Sequence, residues 1–134
     1  MLIKENLPQY KDEIVELYKT FLSEEFTGGT IFGIIEDGVL QAVSSVRCYS
    51  GHWYLRGCVV KPEFRGQGLQ RKLTQERINY IADKTDVVNA CVYPGNNYSV
   101  DNLLAENFVF AGNKKLPNGD IVNHFKLELQ KDKI

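Results

Sequence analysis

Val60-Lys61-Pro62-Glu63-Phe64-Arg65-Gly66-Gln67-Gly68-Leu69-Gln70-Arg71-Lys72-Leu73 is the stretch on which the reading of this chain turns. An apolar, strand-like run ends at Pro62, a glycine-rich turn follows, and a helical period starts at once. Without a Cβ, Gly66 and Gly68 let the backbone curl and bring its N–H groups toward one point. A helix N-terminus directly behind adds unpaired N–H donors and a partial positive charge. Together these make an anion site, which a phosphate or pyrophosphate suits. Arg65 and Arg71 flank the loop as sources of charge-assisted hydrogen bonds. Neither G-x-x-x-x-G-K-[ST] nor G-x-G-x-x-G is present.

Outward from the loop, Trp53 to Val60 reads as the strand entering it and Leu69 to Ala82 as the helix leaving it. On that helix Lys72, Gln75, Glu76, Asn79 and Asp83 share a polar face, with Leu69, Leu73, Ile78 and Ile81 across the opposite arc. Val87 to Val92 is a short apolar strand, so a strand-helix-strand unit is predicted, parallel and right-handed. Upstream, Leu2-Ile3-Lys4 is a short strand, and Pro8 opens a helix. The face of that helix is Ile14, Leu17, Tyr18, Phe21 and Leu22. Asp37-Gly38 is a hairpin turn between Thr30–Glu36 and Val39–Arg47, and Ser50-Gly51 is a second turn. Downstream, Pro94-Gly95-Asn96-Asn97 breaks the chain, and Val100, Leu103 and Leu104 mark a short helix. A last hairpin follows around Pro117-Asn118-Gly119, ending in the alternation Ile121, Asn123, Phe125, Leu127, Leu129. The element order is β-α-β-β-β-α-β-α-β-β.

The central stretch resembles the acyl-CoA-binding motif of the GNAT family, the GCN5-related N-acetyltransferases. The family pattern is Arg or Gln, two residues, Gly, one residue, then Gly or Ala. Arg65 through Leu69 fit it, Val60-Lys61-Pro62 supplies the Val-x-Pro often found upstream, and Gln70 departs from the final Gly or Ala. A second family motif runs from an Asn through a short helix to Gly-Phe. It reads here as Asn96 to Phe108, with Ser99 at a position commonly Ala and Asn107 in place of the Gly. The resemblance covers the whole chain as one domain, residues 1–134. It implies an α/β (α+β) acyl-CoA N-acyltransferase fold. A mixed sheet of about six to seven strands, flanked by helices, would hold a strand-helix-strand acyl-CoA-binding core. Family members usually place two helices before the second strand, and only Ser23 to Thr27 remains for the second, which implies an open acceptor side.

The implied activity is acetyl transfer from acetyl-CoA to an amine of a small molecule or protein, by direct attack. Carried over, the pyrophosphate site falls at Arg65, Gly66, Gln67, Gly68, Leu69, Gln70 and Arg71. The pantetheine arm would hydrogen-bond the backbone at Cys58 and Val60, and an N–H there would face the thioester oxygen. Asn96 fits the position whose side chain meets the cofactor, though as a residue it also reads as a plain turn. Many members carry a Tyr at the position of Leu103 as general acid toward the thiolate, and Leu has no proton to give. Tyr98 is a nearby candidate substitute, and as a lone Tyr it also reads as packing with a wet hydroxyl. A thiol of pKa about 8.5 leaves with little acid help, so activity without the Tyr is chemically sound. No general base is identified: the strand carries His52, Tyr54 and Arg56, while Glu24, Glu25 and Glu36 read as solvated charges and Asp37 belongs to its turn.

The chain has 134 residues, 43% hydrophobic and 25% charged, with formal net charge −1. That composition fits one soluble domain and gives nucleic acid or an anionic membrane no electrostatic hold. No apolar run is long enough to span a membrane, and the N-terminus lacks a signal-peptide pattern, so a cytoplasmic protein is expected. Cys48, Cys58 and Cys91 read as reduced, buried thiols, with no metal-ligand spacing around them or around His52 and His124. Two further functions compete: a non-catalytic GNAT module that binds acyl-CoA for regulation or assembly, kept open by Gln70 and Leu103, and a domain holding another phosphate ligand. The amine acceptor and a homodimer carry no motif.

Overall fold

In the computed structural model, residues 2–26 and 28–129 are described. Seven strands and three α-helices alternate along the chain: β1 (Leu2–Glu5), α1 (Lys11–Leu17), β2 (Thr30–Glu36), β3 (Val39–Tyr49), β4 (His52–Val60), α2 (Leu69–Ile81), β5 (Val87–Val92), α3 (Asn97–Ala105), β6 (Val109–Lys115) and β7 (Ile121–Glu128). The strands hydrogen-bond in the order β1-β2-β3-β4-β5-β7-β6. By contact the chain groups into two compact units. The first holds the chain up to Arg47 together with Arg56–Arg77, and the second holds Cys48–Leu55 and the chain from Ile78.

In the first unit β1, β2 and β3 pair antiparallel. Asp37 (φ 50°) and Gly38 (φ 79°) are both left-handed, the geometry of the tight hairpin the Asp-Gly pair predicts. A 3-10 turn at Pro8–Tyr10 leads into α1, and a π-helical turn at Tyr18–Leu22 continues it. Ile14, Leu17 and Tyr18 are buried as the period requires, and they join Leu7, Ile35, Leu40, Val43 and Val59 in one apolar cluster. Phe21 departs from the expected face and is 42% exposed. The wider π turn rotates it off the α-helical stripe. Ser23 (φ 52°) then ends the turn, and residues 23–26 form no second helix. Thr27, the last residue of that segment, lies outside the described residues, as do Met1 and 130–134.

In the second unit β4 runs parallel to β5 through the pairs Trp53–Val88, Tyr54–Asn89 and Leu55–Ala90. This is the direction the strand-helix-strand pattern predicts. β7 pairs antiparallel with β5 on one side and β6 on the other. Helix α3 ends in a Schellman motif: Phe108 N–H bonds the Leu103 carbonyl at 3.0 Å, and Asn107 N–H bonds that of Leu104 at 3.0 Å. Asn107 sits at φ 71°, the left-handed position that the family's Gly fills and that Asn tolerates. Leu103 is buried, while Leu104, expected on the same face, is 50% exposed. A helix this short buries one narrow line of side chains, and Leu104 lies a step around from it. Ile121 is likewise exposed at the start of β7, and Cys48 is exposed on β3 rather than buried. All three cysteines are thiols, not disulfides.

Candidate active site

The first unit carries the glycine loop. β4 ends at Val60, and Lys61 N–H bonds the Gln41 carbonyl at 3.0 Å, which moors the loop to β3. A 3-10 turn at Pro62–Phe64 follows, and Arg65 is extended. Gly66 and Gly68 are both left-handed, at φ 83° and 76°, and a Cβ on either would meet open space. The Gly68 carbonyl accepts the first α2 bond from Lys72 N–H at 3.1 Å, so the amides just after Gly68 emerge from the helix end. Leu69, 2% exposed, pins that end to the core. Gln67 and Arg71 are exposed, and Gln70 is half-buried with its carbonyl accepting from Thr74 Oγ1 at 2.9 Å. Open space beside Cβ-less, left-handed backbone at a helix N-terminus has the geometry of an anion site. Arg65 folds inward: Nε donates to the Val60 carbonyl at 3.0 Å, and the guanidinium lies 5.7 Å from the Phe21 ring centroid. That contact explains what the displaced Phe21 does.

Upstream in β4 the backbone is irregular for a reason the sequence reading missed. Gly57 is left-handed at φ 58°, and a Cβ there would come 2.6 Å from the Tyr18 ring. The Tyr18 hydroxyl lies 2.9 Å from Ser45 Oγ and donates to the Arg56 carbonyl at 3.2 Å, to which Ser45 Oγ also donates at 2.7 Å. Beneath sits Arg77, only 4% exposed. Its Nη1 donates to the carbonyls of Ser45 and Gly57, each at 3.2 Å, its Nε to Leu73 O and its Nη2 to Thr74 Oγ1. All are neutral acceptors, so burial lowers the guanidinium pKa while Cys58 and Tyr18 act the other way. Burial pushes the Tyr18 phenol up to about 12, and Ser45 and Arg77 pull it back. The Cys58 thiol is also pushed up by burial, against Arg77, which keeps it protonated and a poor nucleophile. The signal for Arg77 was in the sequence: Leu69, Leu73, Arg77 and Ile81 recur at the i+4 spacing of one buried line.

The second unit holds the remaining candidates. Asn96 caps α3, its Oδ1 accepting from Ser99 N–H at 3.3 Å. Tyr98, on the first turn of that helix, is 65% exposed, and Leu103 is 7% exposed. His52, the first residue of β4, is exposed. A polar cluster that no motif announced crosses β4, β5, β6 and β7. Asn89 Nδ2 donates to the Trp53 carbonyl at 3.1 Å, Asn89 Oδ1 lies 2.9 Å from His124 Nε2, and Lys114 Nζ lies 2.5 Å from the Tyr54 hydroxyl. Asn89 inside the apolar run Val87 to Val92 was the available clue, since a buried amide needs partners. Burial, then Lys114 and Lys126, lower the His124 pKa. Glu24 is half-buried, while Glu25 and Glu36 are exposed. Among the described residues no group of three or more His, Cys, Asp or Glu gathers as a metal site, and no helix is long and apolar enough to cross a membrane.

The acetyltransferase (GNAT) family model matches residues 2–104, and the chain belongs to that family. Solved structures of the same fold include Ard1 from Thermoplasma volcanium, with TM-score 0.80 and 14% identity over 97% of this chain and 98% of that one. The ribosomal-protein-S18-alanine N-acetyltransferase from Escherichia coli aligns with TM-score 0.77 and 16% identity over 98% of this chain and 96% of that one. The protein yncA from Salmonella typhimurium, solved with its cofactor acetyl-CoA, aligns with TM-score 0.78 and 17% identity over 100% of this chain and 96% of that one. The curated proteins contain no match.

Proposed function

We propose that this chain is a single-domain N-acetyltransferase that moves the acetyl group of acetyl-CoA to a primary amine of a small molecule or protein. The observation that carries the reading is the loop at Gly66 and Gly68, left-handed and open at the N-terminus of α2. Its amides and the helix end, with Arg65 and Arg71, would hold the pyrophosphate through Gly66, Gln67, Gly68, Leu69 and Gln70. The backbone at Cys58 and Val60 would receive the pantetheine arm, and a β4 N–H would polarise the thioester carbonyl and stabilise its developing oxyanion. Asn96 would meet the cofactor with its amide nitrogen, since its oxygen serves the helix cap. Tyr98, exposed on α3, is the residue available to protonate the departing thiolate. The setting is the cytoplasm, without nucleic acid or membrane partners, and a homodimer is compatible with it.

The test is thermal melting with acetyl-CoA, followed by acetylation assays on a panel of primary amines. Ligand at about a hundred times its dissociation constant should add roughly 2.7 kcal/mol of stability. An unmoved melting curve at millimolar acetyl-CoA, beside a clear shift with an unrelated nucleotide, overturns the reading. Binding without transfer to any amine points to the acyl-CoA-binding module instead.

A further inference from the structure

Glycine's broad conformational freedom would let the Gly57–Cys58 peptide swing about the axis of β4. Three side chains of the first unit prevent it. The Tyr18 hydroxyl and Ser45 Oγ both donate to the Arg56 carbonyl, at 3.2 and 2.7 Å, and hold the peptide before Gly57. Arg77 Nη1 donates to the Gly57 carbonyl at 3.2 Å and holds the peptide after it. The guanidinium is itself clamped, by the Ser45 carbonyl at 3.2 Å, the Leu73 carbonyl and Thr74 Oγ1. A trans peptide is planar, with its carbonyl and N–H on opposite edges. The Gly57 carbonyl aims at Arg77, so the Cys58 N–H points away from it. Among the described residues the hydrogen-bond partners of Arg77 are all neutral oxygens. Its charge is only 4% exposed, so it is weakly screened and acts on the peptide it touches. An amide that accepts a charged hydrogen bond at its oxygen becomes a stronger donor at its nitrogen.

We propose that Arg77 is a positioning residue for acetyl transfer: through the Gly57 carbonyl it orients the Gly57–Cys58 peptide and strengthens the Cys58 N–H as donor to the thioester oxygen. The proposal rests on the N-acetyltransferase reading, in which a β4 backbone N–H meets that oxygen, and adds the group that sets the strength of that N–H. The amine nitrogen adds to the thioester carbon, so the N–C bond forms and the carbonyl π pair moves onto oxygen. The Cys58 N–H receives the negative charge that builds there, and the charge of Arg77 supports it across one peptide unit. The pair then returns, the C–S bond breaks, and sulfur departs with its electrons. The proton that nitrogen sheds on becoming an amide passes to the thiolate. Arg77 touches no substrate atom and exchanges no proton. Tyr18 and Ser45 keep the preceding peptide still, so that the polarised N–H holds one direction.

Arg77→Met removes the charge and the donors while keeping an apolar stem, and Arg77→Lys restores a charged donor. With no ligand present, NMR should show the Gly57 carbonyl carbon and the Cys58 amide proton moved upfield in Arg77→Met and part of the way back in Arg77→Lys. With carbonyl-labelled acetyl-CoA bound, the infrared thioester stretch should lie below its value in water for wild type and return toward that value in Arg77→Met. Against the amine panel, kcat of Arg77→Met should fall about tenfold, a smaller loss than the roughly 10²–10³ of deleting an oxyanion donor outright. Its acetyl-CoA dissociation constant should be unchanged by calorimetry, and Arg77→Lys should recover part of the rate. Should Arg77→Met fail to fold, Arg77→Gln, a neutral donor, carries the same comparison. A variant whose kcat falls while the Cys58 resonance and the bound thioester stretch stay at their wild-type values shows a merely structural role and overturns the proposal, as does an unchanged kcat. A wild type that binds no acetyl-CoA sinks the acetyltransferase reading itself, whereas binding with a stretch that ignores Arg77 sinks the positioning role alone.

Discussion

At the scale of single residues, the structure turns on Gly57 and its cover. Its left-handed backbone and the Tyr18 ring 2.6 Å from where a Cβ would sit make Gly57→Ala costly on two counts. A loss of about 1–3 kcal/mol is expected from the strain alone, read as a lower urea midpoint at unchanged m-value. Tyr18 gives a pH signature. Its phenol is raised from 10.0 to about 12 in the folded state, so the folded protein holds that proton more tightly. The associated stability is fully present below pH 10 and is lost as pH climbs toward 12, a change of about 3 kcal/mol. Tyr18→Phe should start less stable and flatten that alkaline decline, which urea titrations from pH 9 to 12 would reveal. A third site is Ser44, fully buried with no hydrogen-bond partner for its hydroxyl among the described residues. Ser44→Ala should stabilise by about 1 kcal/mol, because the desolvation of an unused hydroxyl disappears. None of these three was legible in the sequence. A glycine inside a strand, a tyrosine on a helix face and a serine in an apolar run acquire meaning only from what packs beside them.

Elements were far more legible. Asp37-Gly38 and Ser50-Gly51 both take the left-handed pair that a two-residue turn demands, and the parallel pairing of β4 with β5 follows from the helix between them. The failures share a cause. Ideal α-helical spacing puts Phe21 and Leu104 on buried faces, but one lies in a π turn and the other on a helix too short to bury a broad stripe. The loop before α2 yields the clearest element-level test. Val at position 68 would have to adopt φ 76°, which β-branched residues resist, although a Cβ there would meet open space. Gly68→Val should therefore remain folded while binding acetyl-CoA at least a hundredfold more weakly. Arg65→Ala removes one charged donor and should cost about tenfold to a hundredfold. Calorimetric titration of the two variants separates backbone from side-chain contributions, and wild-type affinity in Gly68→Val would move the phosphates elsewhere.

For the whole molecule, β4 and α2 each contribute residues to both compact units. Elements shared in this way tie the stability of one unit to that of the other, and a chain of this size is expected to unfold in one cooperative transition. Fluorescence of Trp53, the sole tryptophan, should change at the same denaturant concentration as far-ultraviolet circular dichroism. Separate midpoints would mean two folding units. The glycine loop and its Val-x-Pro were readable because short-range backbone chemistry is written in adjacent residues. The Asn89–His124 pair was not, since its members lie 35 positions apart and meet only through strand register. The segment between α1 and β2 has a use that follows from its two ends. Upstream, Tyr18 fits over Gly57 like a key in its slot; downstream, Gly29 lies so close to the Val46 carbonyl that a side chain there would collide with it. The stretch from Glu24 to Phe26 is therefore bracketed by two close approaches, with Phe26 itself packed edge-on to Tyr18 at 5.1 Å. A library of inserts at that point would vary the polypeptide between α1 and β2 while leaving Tyr18 on Gly57 and Gly29 on Val46.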